Sequence, residues 1–276
     1  MTFCIVAIFK NESAIMEEWL NHYIKEGCSK FLLIDNGSTD NYLPILKKYK
    51  NLVVLARDPK KHAQIELYNK YFLKAVRYYK WTLVCDLDEF IYARKKFRTI
   101  KEFLDSVSNN VCQIAIPWKI FGSNGYSTLD KGEPKSAISA FTKRINYDKK
   151  EGLQGVCKII GDIKMDLCKC IVRSNSIKRI NIHNHELYHD FTIDSNYQRH
   201  PNPSFMTPCN ETILNASNLH LNHYAIQSFA WFKRVKMTRG DVCNQSSENV
   251  RTDDYFHGFD KTSNDIDDFE LKNKEY

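Results

Sequence analysis

Long apolar runs are missing from this sequence. The hydrophobic stretch Phe3–Phe9 ends at Lys10 after seven residues, whereas a membrane span needs about 20. A signal peptide has a basic segment before its apolar run and a small-residue cleavage site after it, and neither flanks this stretch. We therefore expect no transmembrane segment and a soluble, cytoplasmic protein.

Long basic runs are missing too, since no more than three Lys or Arg residues follow one another. The 40 Lys and Arg against 33 Asp and Glu give a net charge of +7. Such an excess suits an anionic ligand or peripheral contact with membrane headgroups. The lack of basic runs argues against nucleic acid as a partner.

The nine cysteines, an odd number, form no disulfide framework, which indicates a reducing compartment and buried thiols. Cys168 and Cys170 have one residue between them, whereas structural zinc sites space their cysteines by two to four. In an extended strand both would share one face. We therefore expect them to pack in the core rather than bind zinc.

Hydrophobic residues make up 43% of the 276 residues and charged residues 26%, as in a globular protein of one large domain. The first half alternates strand and helix patterns. The predicted strands are Phe3–Phe9, Lys30–Asp35, Leu52–Ala56, Trp81–Asp86 and Cys112–Trp118, and the predicted helices include Glu12–Glu26, Gln64–Tyr79 and Ile100–Val107. This order predicts an α/β fold, with a mostly parallel sheet and helices on both faces.

The pattern becomes less regular after Trp118. We expect a nucleotide-binding half over 1–118, a second half over 119–243 that ends in a helix at Ala225–Arg239, and a loose polar tail over 244–276. Ligands of open α/β sheets bind beyond the carboxyl ends of the strands. The strand ends are therefore the place to look for a site.

Asp86 ends the fourth predicted strand, and Asp88 follows it by two residues. In extended chain, residues two apart point to the same side, so both carboxylates would face one ligand while Leu87 enters the core. Adjacent carboxylates repel each other unless they share a divalent cation with phosphate oxygens. If the pair is strained in this way, Asp88→Ala removes activity and leaves folding nearly unchanged.

Other strand ends carry small polar or acidic groups as well. Lys10-Asn11-Glu12 follows the first strand, Asp35–Asp40 ends and follows the second, and Arg57-Asp58 follows the third. Carboxylates there can accept hydrogen bonds from ribose hydroxyls or a base. The alternative is helix capping by Glu12 and Asp40.

Several ordered motifs resemble those of family 2-like and family 92 glycosyltransferases. They are Ala7–Glu12, Glu18–Tyr23, Ile34–Asp40, Gln64, Tyr68-Asn69, Lys80–Ile91, His223-Tyr224, Ser228-Phe229, Lys236 and Arg239-Gly240. The resemblance runs over roughly residues 3–240. One departure is Gln227, where the family pattern leads us to expect a lysine.

The resemblance implies a GT-A fold with a C-terminal acceptor-side extension. It implies a nucleotide-sugar donor, most often a UDP-sugar, a manganese-type cation with Mg²⁺ as the alternative, and transfer to a glycan hydroxyl with inversion. Asp88 would bind the cation, Asp86 the ribose or the cation, and His223, with His220 as its rival, would complete the metal site. The implied nucleotide-binding residues are Asn11, Glu12, Asp35, Asp58, Gln64, Asp86 and Lys158.

Inversion by direct displacement needs a carboxylate base. Glu151 and Asp162 are favoured by their place between the sheet and the C-terminal motif, and Asp166, Glu186 and Asp190 stay open. Basic residues that could meet the donor phosphates, or lie on the surface, are Arg144, Lys158 and Lys169. Trp118 and Tyr126 could stack on a sugar ring or pack in the core.

The sequence also suggests three other functions. His183-Asn184-His185 spells a nuclease motif, but those nucleases spread the three residues far apart. A nucleotidyltransferase would need a glycine-rich loop after the first strand, and Phe9–Ser13 contains no glycine. An inactive, glycosyltransferase-like binding module remains the main alternative. The lack of an anchor differs from Golgi members and suggests a bacterial or viral enzyme.

Overall fold

The structure is a computed structural model that describes residues 3–149, 157–160, 163–200, 206–239 and 251–276. Side chains are described throughout these ranges except at 157–160 and 163–164. Glu151 and Asp162, two predicted site residues, lie outside the described residues, as does the side chain of Lys158. The seven cysteines with described side chains carry free thiols, and all but Cys112 are buried.

The first half of the chain forms the predicted parallel sheet. Its strands are β1 (Phe3–Phe9), β2 (Cys28–Asp35), β3 (Val53–Arg57) and β4 (Trp81–Val84), joined by helices α1 (Ser13–Lys25), α2 (Leu43–Lys48) and α3 (Gln64–Phe72). The strands lie in the order β3-β2-β1-β4, and all neighbours are parallel. Their carboxyl ends therefore meet at one edge, as the sequence predicts.

Helices cover both faces of this sheet. Alternate residues of β1 point to opposite sides, so that Phe3 and Ile5 join the core that contains α1 while Cys4 and Val6 join the core beneath α3. Helix α1 ends at Lys25, and Gly27 follows with φ +90°. A Cβ at Gly27 would lie 2.6 Å from Lys101 Cβ, so this turn requires glycine.

Beyond β4 the sheet is mixed, and there the expectation of a mostly parallel sheet is wrong. Strand β9 (Ile163–Arg173) pairs antiparallel with β4, followed by β6 (Gln113–Ile120), β14 (Leu219–His223) and β5 (Glu89–Ala93). The predicted fifth strand, now β6, pairs with β9 instead of β4. The chain thus inserts a strand from its second half into the centre of the sheet.

The other elements are short. The strands are β7 (Lys143–Arg144), β8 (Cys157–Ile160), β10 (Ile177–Arg179), β11 (Glu186–Leu187), β12 (Thr192–Asp194), β13 (Met206–Pro208) and β15 (Ile266–Asp267). The helices are α4 (Ile100–Ser106), α5 (Ala137–Ala140), α6 (Glu211–Ala216), α7 (Phe229–Arg234) and α8 (Asp253–Thr262), with 3₁₀ helices at Ala75–Tyr78, Leu129–Lys131, Ser174–Ser176 and Lys236–Thr238. The helix expected at Ala225–Arg239 is shorter because Ser228 caps it at Trp231 N. Among the described residues, no helix has both the length and the apolarity to span a bilayer.

Residues 251–276 pack against the domain, so the expectation of a loose tail is wrong for them. Asp268 accepts hydrogen bonds of 2.8 Å from both Lys119 Nζ and Arg144 Nε. Lys119 is fully buried and Asp268 nearly so. Because an unpaired buried ammonium group is costly, this segment completes the fold. The expected division of the chain at 118 and 243 stays a prediction.

Candidate active site

Asp86 and Asp88 lie in a tight turn between β4 and β5. Glu89 N donates to Asp86 O at 3.1 Å, and Trp19 Nε1 donates to the carbonyls of Asp86 and Glu89 at 3.1 Å each. Leu87 is buried in the core, as expected. The side chain of Asp86 is 33% exposed and that of Asp88 only 1%. The two carboxylates therefore differ in their access to a ligand.

Each carboxylate has its own lysine. Lys169 Nζ lies 2.9 Å from Asp86 Oδ2, and Lys236 Nζ contacts Asp88 Oδ2. Burial alone would raise the pKa of Asp88, but the Lys236 ammonium and then His223 hold this pKa well below its ordinary value. The expectation that the pair is strained by repulsion is therefore wrong, because both charges are compensated.

Gln64 holds the side chain of Asp86, and Glu89 holds its backbone N–H. Gln64 Nε2 donates to Tyr68 Oη at 2.7 Å and to Asp86 Oδ1 at 3.4 Å. Glu89 Oε2 accepts from Asp86 N at 2.9 Å. Glu89 is fully buried, and burial raises its pKa to about 7, against the opposing effect of Lys169. Glu89 belongs to the sequence motif, and the resemblance implies no role for it.

His223, at the end of β14, is the histidine that faces Asp88. Its Nε2 lies 3.8 Å from Asp88 Oδ1, and Tyr224 N donates to Asp88 O at 2.9 Å. The rival His220 is bonded to Glu270 and to Leu214 O instead. Burial lowers the pKa of His220 to about 4, with Lys119 adding to the effect. The structure thus brings His223, and not His220, to the carboxylate pair.

The contact between Asp88 and His223 fits a shared cation. A separation of 3.8 Å is too long for a hydrogen bond. Metal bonds of about 2.1 Å allow two ligand atoms of one ion to lie up to about 4 Å apart. Within the described ranges no group of three or more His, Cys, Asp or Glu side chains could hold a metal. A cation here would have two protein ligands and would need others from a bound substrate or water.

The other strand-end residues organise the loops of this edge. Asn11, with φ +57°, accepts from Thr39 N through Oδ1 at 2.7 Å. Asp35 accepts from Ser38 N and Tyr42 Oη, both at 2.7 Å. Asp58 accepts from Lys70 at 2.8 Å, and this contact lowers its pKa to about 2. Their role as nucleotide contacts stays a prediction.

Glu12 binds the C-terminal motif. Its Oε1 accepts from Arg239 Nη2 at 2.8 Å, and Glu12 is 2% exposed. Arg234 Nη1 also donates to Asn11 O at 3.3 Å. The 3₁₀ helix Lys236–Thr238, which follows α7, therefore lies across the carboxyl ends of β1 and β4. Two basic residues of this segment, Lys236 and Arg239, each pair with an acidic residue of the site.

Not every residue predicted on the second half lies at the site. Arg144 pairs with Glu211 and Asp268, within the C-terminal network. Asp166 is buried in β9. Glu186 pairs with Lys178 at 2.7 Å, and Asp190 accepts from Thr192 Oγ1 at 2.7 Å. With Glu151 and Asp162 outside the described residues, the identity of a base stays a prediction.

Trp118 forms the wall beside His223. Its ring centroid lies 4.2 Å from that of His223 and 5.5 Å from that of His183. Trp118 is 8% exposed, and within the described part of the chain its Nε1 has no hydrogen-bond partner. From the sequence, Trp118 is either a sugar contact or a core residue. Its contact with His223 places it beside the candidate site. Tyr126 packs on Phe141, with a centroid distance of 5.9 Å.

His183 belongs to the weak nuclease-like motif, and the structure places its ring against Trp118 beside the site. Its Nδ1 lies 2.9 Å from Cys168 O. Burial lowers its pKa to about 4, and the Lys169 ammonium adds to this shift against the opposing effects of the Cys168 carbonyl and Asp86. Cys168 and Cys170 form a small apolar cluster with Ala115, which confirms that they are core residues. Their alternation with Lys169 was the signal that this lysine points to the other side, toward Asp86.

Gln227, the departure from the family pattern, is 6% exposed and has φ +45°. It lines a small cavity with Glu18 and Trp231. Its Nε2 has no partner in the described parts of the structure.

The family model for glycosyltransferase family 92 matches residues 1–260 of the chain. Together with the sheet order, this match confirms the resemblance and the α/β GT-A fold class. None of the curated proteins matches the chain.

Among solved structures, S. aureus TarS 1-349 is similar with a TM-score of 0.38 and 18% identity, over 67% of this chain and 52% of that one. Its complex with UDP gives the same TM-score and identity over 64% and 48%. Glucosyl-3-phosphoglycerate synthase from Mycobacterium tuberculosis, in complex with Mn²⁺ and UDP-glucose, gives 0.26 and 14% over 46% and 45%. The chain thus spans about half the length of these structures.

Proposed function

The chain belongs to glycosyltransferase family 92, and from that premise we propose that it transfers a sugar from a UDP-sugar to a glycan hydroxyl, with inversion and with a divalent cation. The observation that carries the proposal is the cluster at the carboxyl ends of β1 and β4. There Asp86 pairs with the buried Lys169, while Asp88 pairs with the buried Lys236 and faces His223. Alternating carboxylates and ammonium groups suit a ligand that brings both a cation and a diphosphate.

Asp88 and His223 would hold the cation, Mn²⁺ or Mg²⁺. Their facing atoms are 3.8 Å apart, and two protein ligands leave coordination positions for diphosphate oxygens, as magnesium-type sites require. A bound cation would neutralise the charge that develops on the departing diphosphate.

Lys236 and Arg239 are the candidate contacts for the diphosphate. Lys236 is buried and Arg239 is partly buried beside the site, where they pair with Asp88 and Glu12. Phosphate oxygens can replace those carboxylates as acceptors, because both are strong anionic partners for Lys and Arg. If Lys236 and Arg239 exchanged these carboxylates for the diphosphate, the 3₁₀ helix Lys236–Thr238 would move onto the donor.

Asp86 is the candidate contact for the ribose, since its side chain is 33% exposed and a carboxylate accepts hydrogen bonds from hydroxyls. The candidate nucleotide contacts Asn11, Asp35 and Asp58 lie in the loops at the same edge. They already hold those loops, so each would act through a remaining lone pair or through the loop that it fixes.

Transfer with inversion proceeds by in-line displacement. The acceptor oxygen bonds to the anomeric carbon, the bond from that carbon to the diphosphate oxygen breaks, and its electron pair leaves with UDP. The acceptor proton must pass to a base. Glu151 and Asp162 remain our candidates for the base. Trp118, against His223, would contact the sugar from the side.

A panel of nucleotide sugars tests this proposal. Each is added with and without Mn²⁺, and thermal stability and slow hydrolysis are measured. A specific ligand raises the melting temperature by mass action. We expect one UDP-sugar to stabilise the protein and to be hydrolysed only with the cation. If no nucleotide sugar binds under either condition, the proposal is wrong, and the inactive module is next tested with glycans alone.

A further inference from the structure

Lys169, like Glu89, is a charged residue of the site whose side chain is fully buried. It lies on β9 opposite Ile116 of β6 and is fully buried. Its neighbours Cys168 and Cys170 face the apolar cluster on the other side of the strand. Lys169 therefore points into the candidate site from the centre of the sheet, where a rigid strand fixes its stem.

Two carboxylates share this ammonium group. Lys169 Nζ lies 2.9 Å from Asp86 Oδ2 and 3.4 Å from Glu89 Oε2. Asp86 Oδ1 is held separately by Gln64 Nε2 at 3.4 Å. Both oxygens of Asp86 thus have a donor from a described side chain, and the strongest donor is a permanent cation.

Asp88 is arranged differently. Its Oδ1 faces His223 Nε2 at 3.8 Å without a hydrogen bond, while Oδ2 meets Lys236. Lys236 lies on a 3₁₀ turn after a short helix, whereas Lys169 lies within a central strand. A lysine on such a segment can move to a ligand at a lower cost than one in a sheet.

We propose that Lys169 is a positioning residue that reserves Asp86 for hydroxyl groups of the nucleotide and confines the cation to Asp88 and His223. This inference rests on the proposed function. A fixed ammonium group 2.9 Å from Asp86 repels a divalent cation from that carboxylate and leaves the oxygens able to accept hydrogen bonds. The same charge attracts the donor diphosphate.

The inference predicts opposite effects on two ligands. Lys169→Gln removes one positive charge, so Mn²⁺ binds about tenfold tighter and UDP without metal binds about tenfold more weakly, as expected for a unit charge in a partly buried site. A residue with only a structural role would weaken both. Lys169→Arg keeps the charge and should therefore show neither of these two shifts in affinity.

The experiment measures Mn²⁺ alone by electron paramagnetic resonance and UDP alone, in EDTA, by calorimetry. It compares wild-type protein with Lys169→Gln and Lys169→Arg. A cooperative thermal melt first shows that each protein is folded. Opposite shifts in Lys169→Gln support the inference. Shifts of the same sign, or none, overturn it. If wild-type protein binds neither Mn²⁺ nor UDP, the proposed function itself fails, which is a separate result.

Glu89→Gln keeps the test decisive if Lys169→Gln does not fold. This nearly isosteric change can still accept the hydrogen bond from Asp86 N and, at a pH above 7 where Glu89 is ionised, removes a negative charge 3.4 Å from Lys169. Lys169 then acts on Asp86 without a second counter-ion, so Mn²⁺ should bind more weakly and UDP more tightly. Unchanged affinities in this variant overturn the inference.

Discussion

Asp88→Asn should destabilise the fold as well as abolish transfer. The carboxylate is 1% exposed, and its partner Lys236 has a side chain that is 9% exposed. Removing one member of a buried ion pair leaves the other charge uncompensated, at a cost of about 3–5 kcal/mol. For a chain of this size each kcal/mol lowers the melting temperature by about 2–4 °C. We therefore expect a loss of about 10 °C.

A double-mutant cycle separates the ion pair from other effects. Lys236→Met alone should also destabilise, because Asp88 is then left buried and unpaired. The double variant Asp88→Asn/Lys236→Met should lose less free energy of unfolding than the two single variants together. The difference should be at least about 1 kcal/mol, because neither charge remains buried. Urea unfolding of the four proteins at one pH gives the coupling free energy.

The exposed pair Lys48 and Glu17, with side chains 59% and 43% exposed, provides the matched control. Glu17→Gln should change stability by less than about 1 kcal/mol. If Asp88→Asn melts within about 2 °C of the wild-type protein, or if the cycle gives no coupling, Lys236 does not compensate Asp88 and the electrostatic account of the site is wrong.

Three further predictions follow from single contacts. Burial raises the pKa of Glu26 from 4.5 to about 7, so wild-type stability should fall by about 3 kcal/mol more than that of Glu26→Gln as the pH rises from 4.5 to 8; urea unfolding at both pH values tests this, and equal losses would contradict it. Gly27→Ala should lower stability by at least about 1 kcal/mol because φ is +90° and a Cβ would lie 2.6 Å from Lys101 Cβ; an unchanged melting temperature would refute the steric reason. Trp118→Phe keeps an aromatic ring against His223 but removes the indole N–H, so kcat/KM for the donor should fall several-fold with UDP affinity unchanged; a parallel loss of UDP affinity would place Trp118 at the nucleotide instead.

The first half of the fold could be predicted because its signals are local. Strand β1 has exactly the predicted bounds, Phe3–Phe9, since an all-apolar run beside a helix of regular spacing has few other solutions. The sequence predicts Asp86 and Asp88 at the end of such a strand in extended chain, whereas the structure has them in the turn after β4, which ends at Val84. Local patterns therefore predict where strands and helices lie, and less well where each one ends.

The second half depends on contacts between distant residues. Strand β9 lies between β4 and β6, and no local pattern specifies that insertion. Lys236 reaches Asp88 across 148 positions, and no local pattern indicates that contact. The resemblance favours His223 over His220, whereas the local residue pattern does not separate them, because only the register of β14 decides which one faces Asp88.

The affinity for UDP with and without Mn²⁺ tests the central claim most directly, measured by calorimetry on wild-type protein, His223→Gln and the matched control His220→Gln. If Asp88 and His223 hold the cation that meets the diphosphate, Mn²⁺ tightens UDP binding by wild-type protein and by His220→Gln, and this gain is lost in His223→Gln. Equal UDP affinity with and without Mn²⁺ in wild-type protein, or an equal gain in all three proteins, would contradict the account.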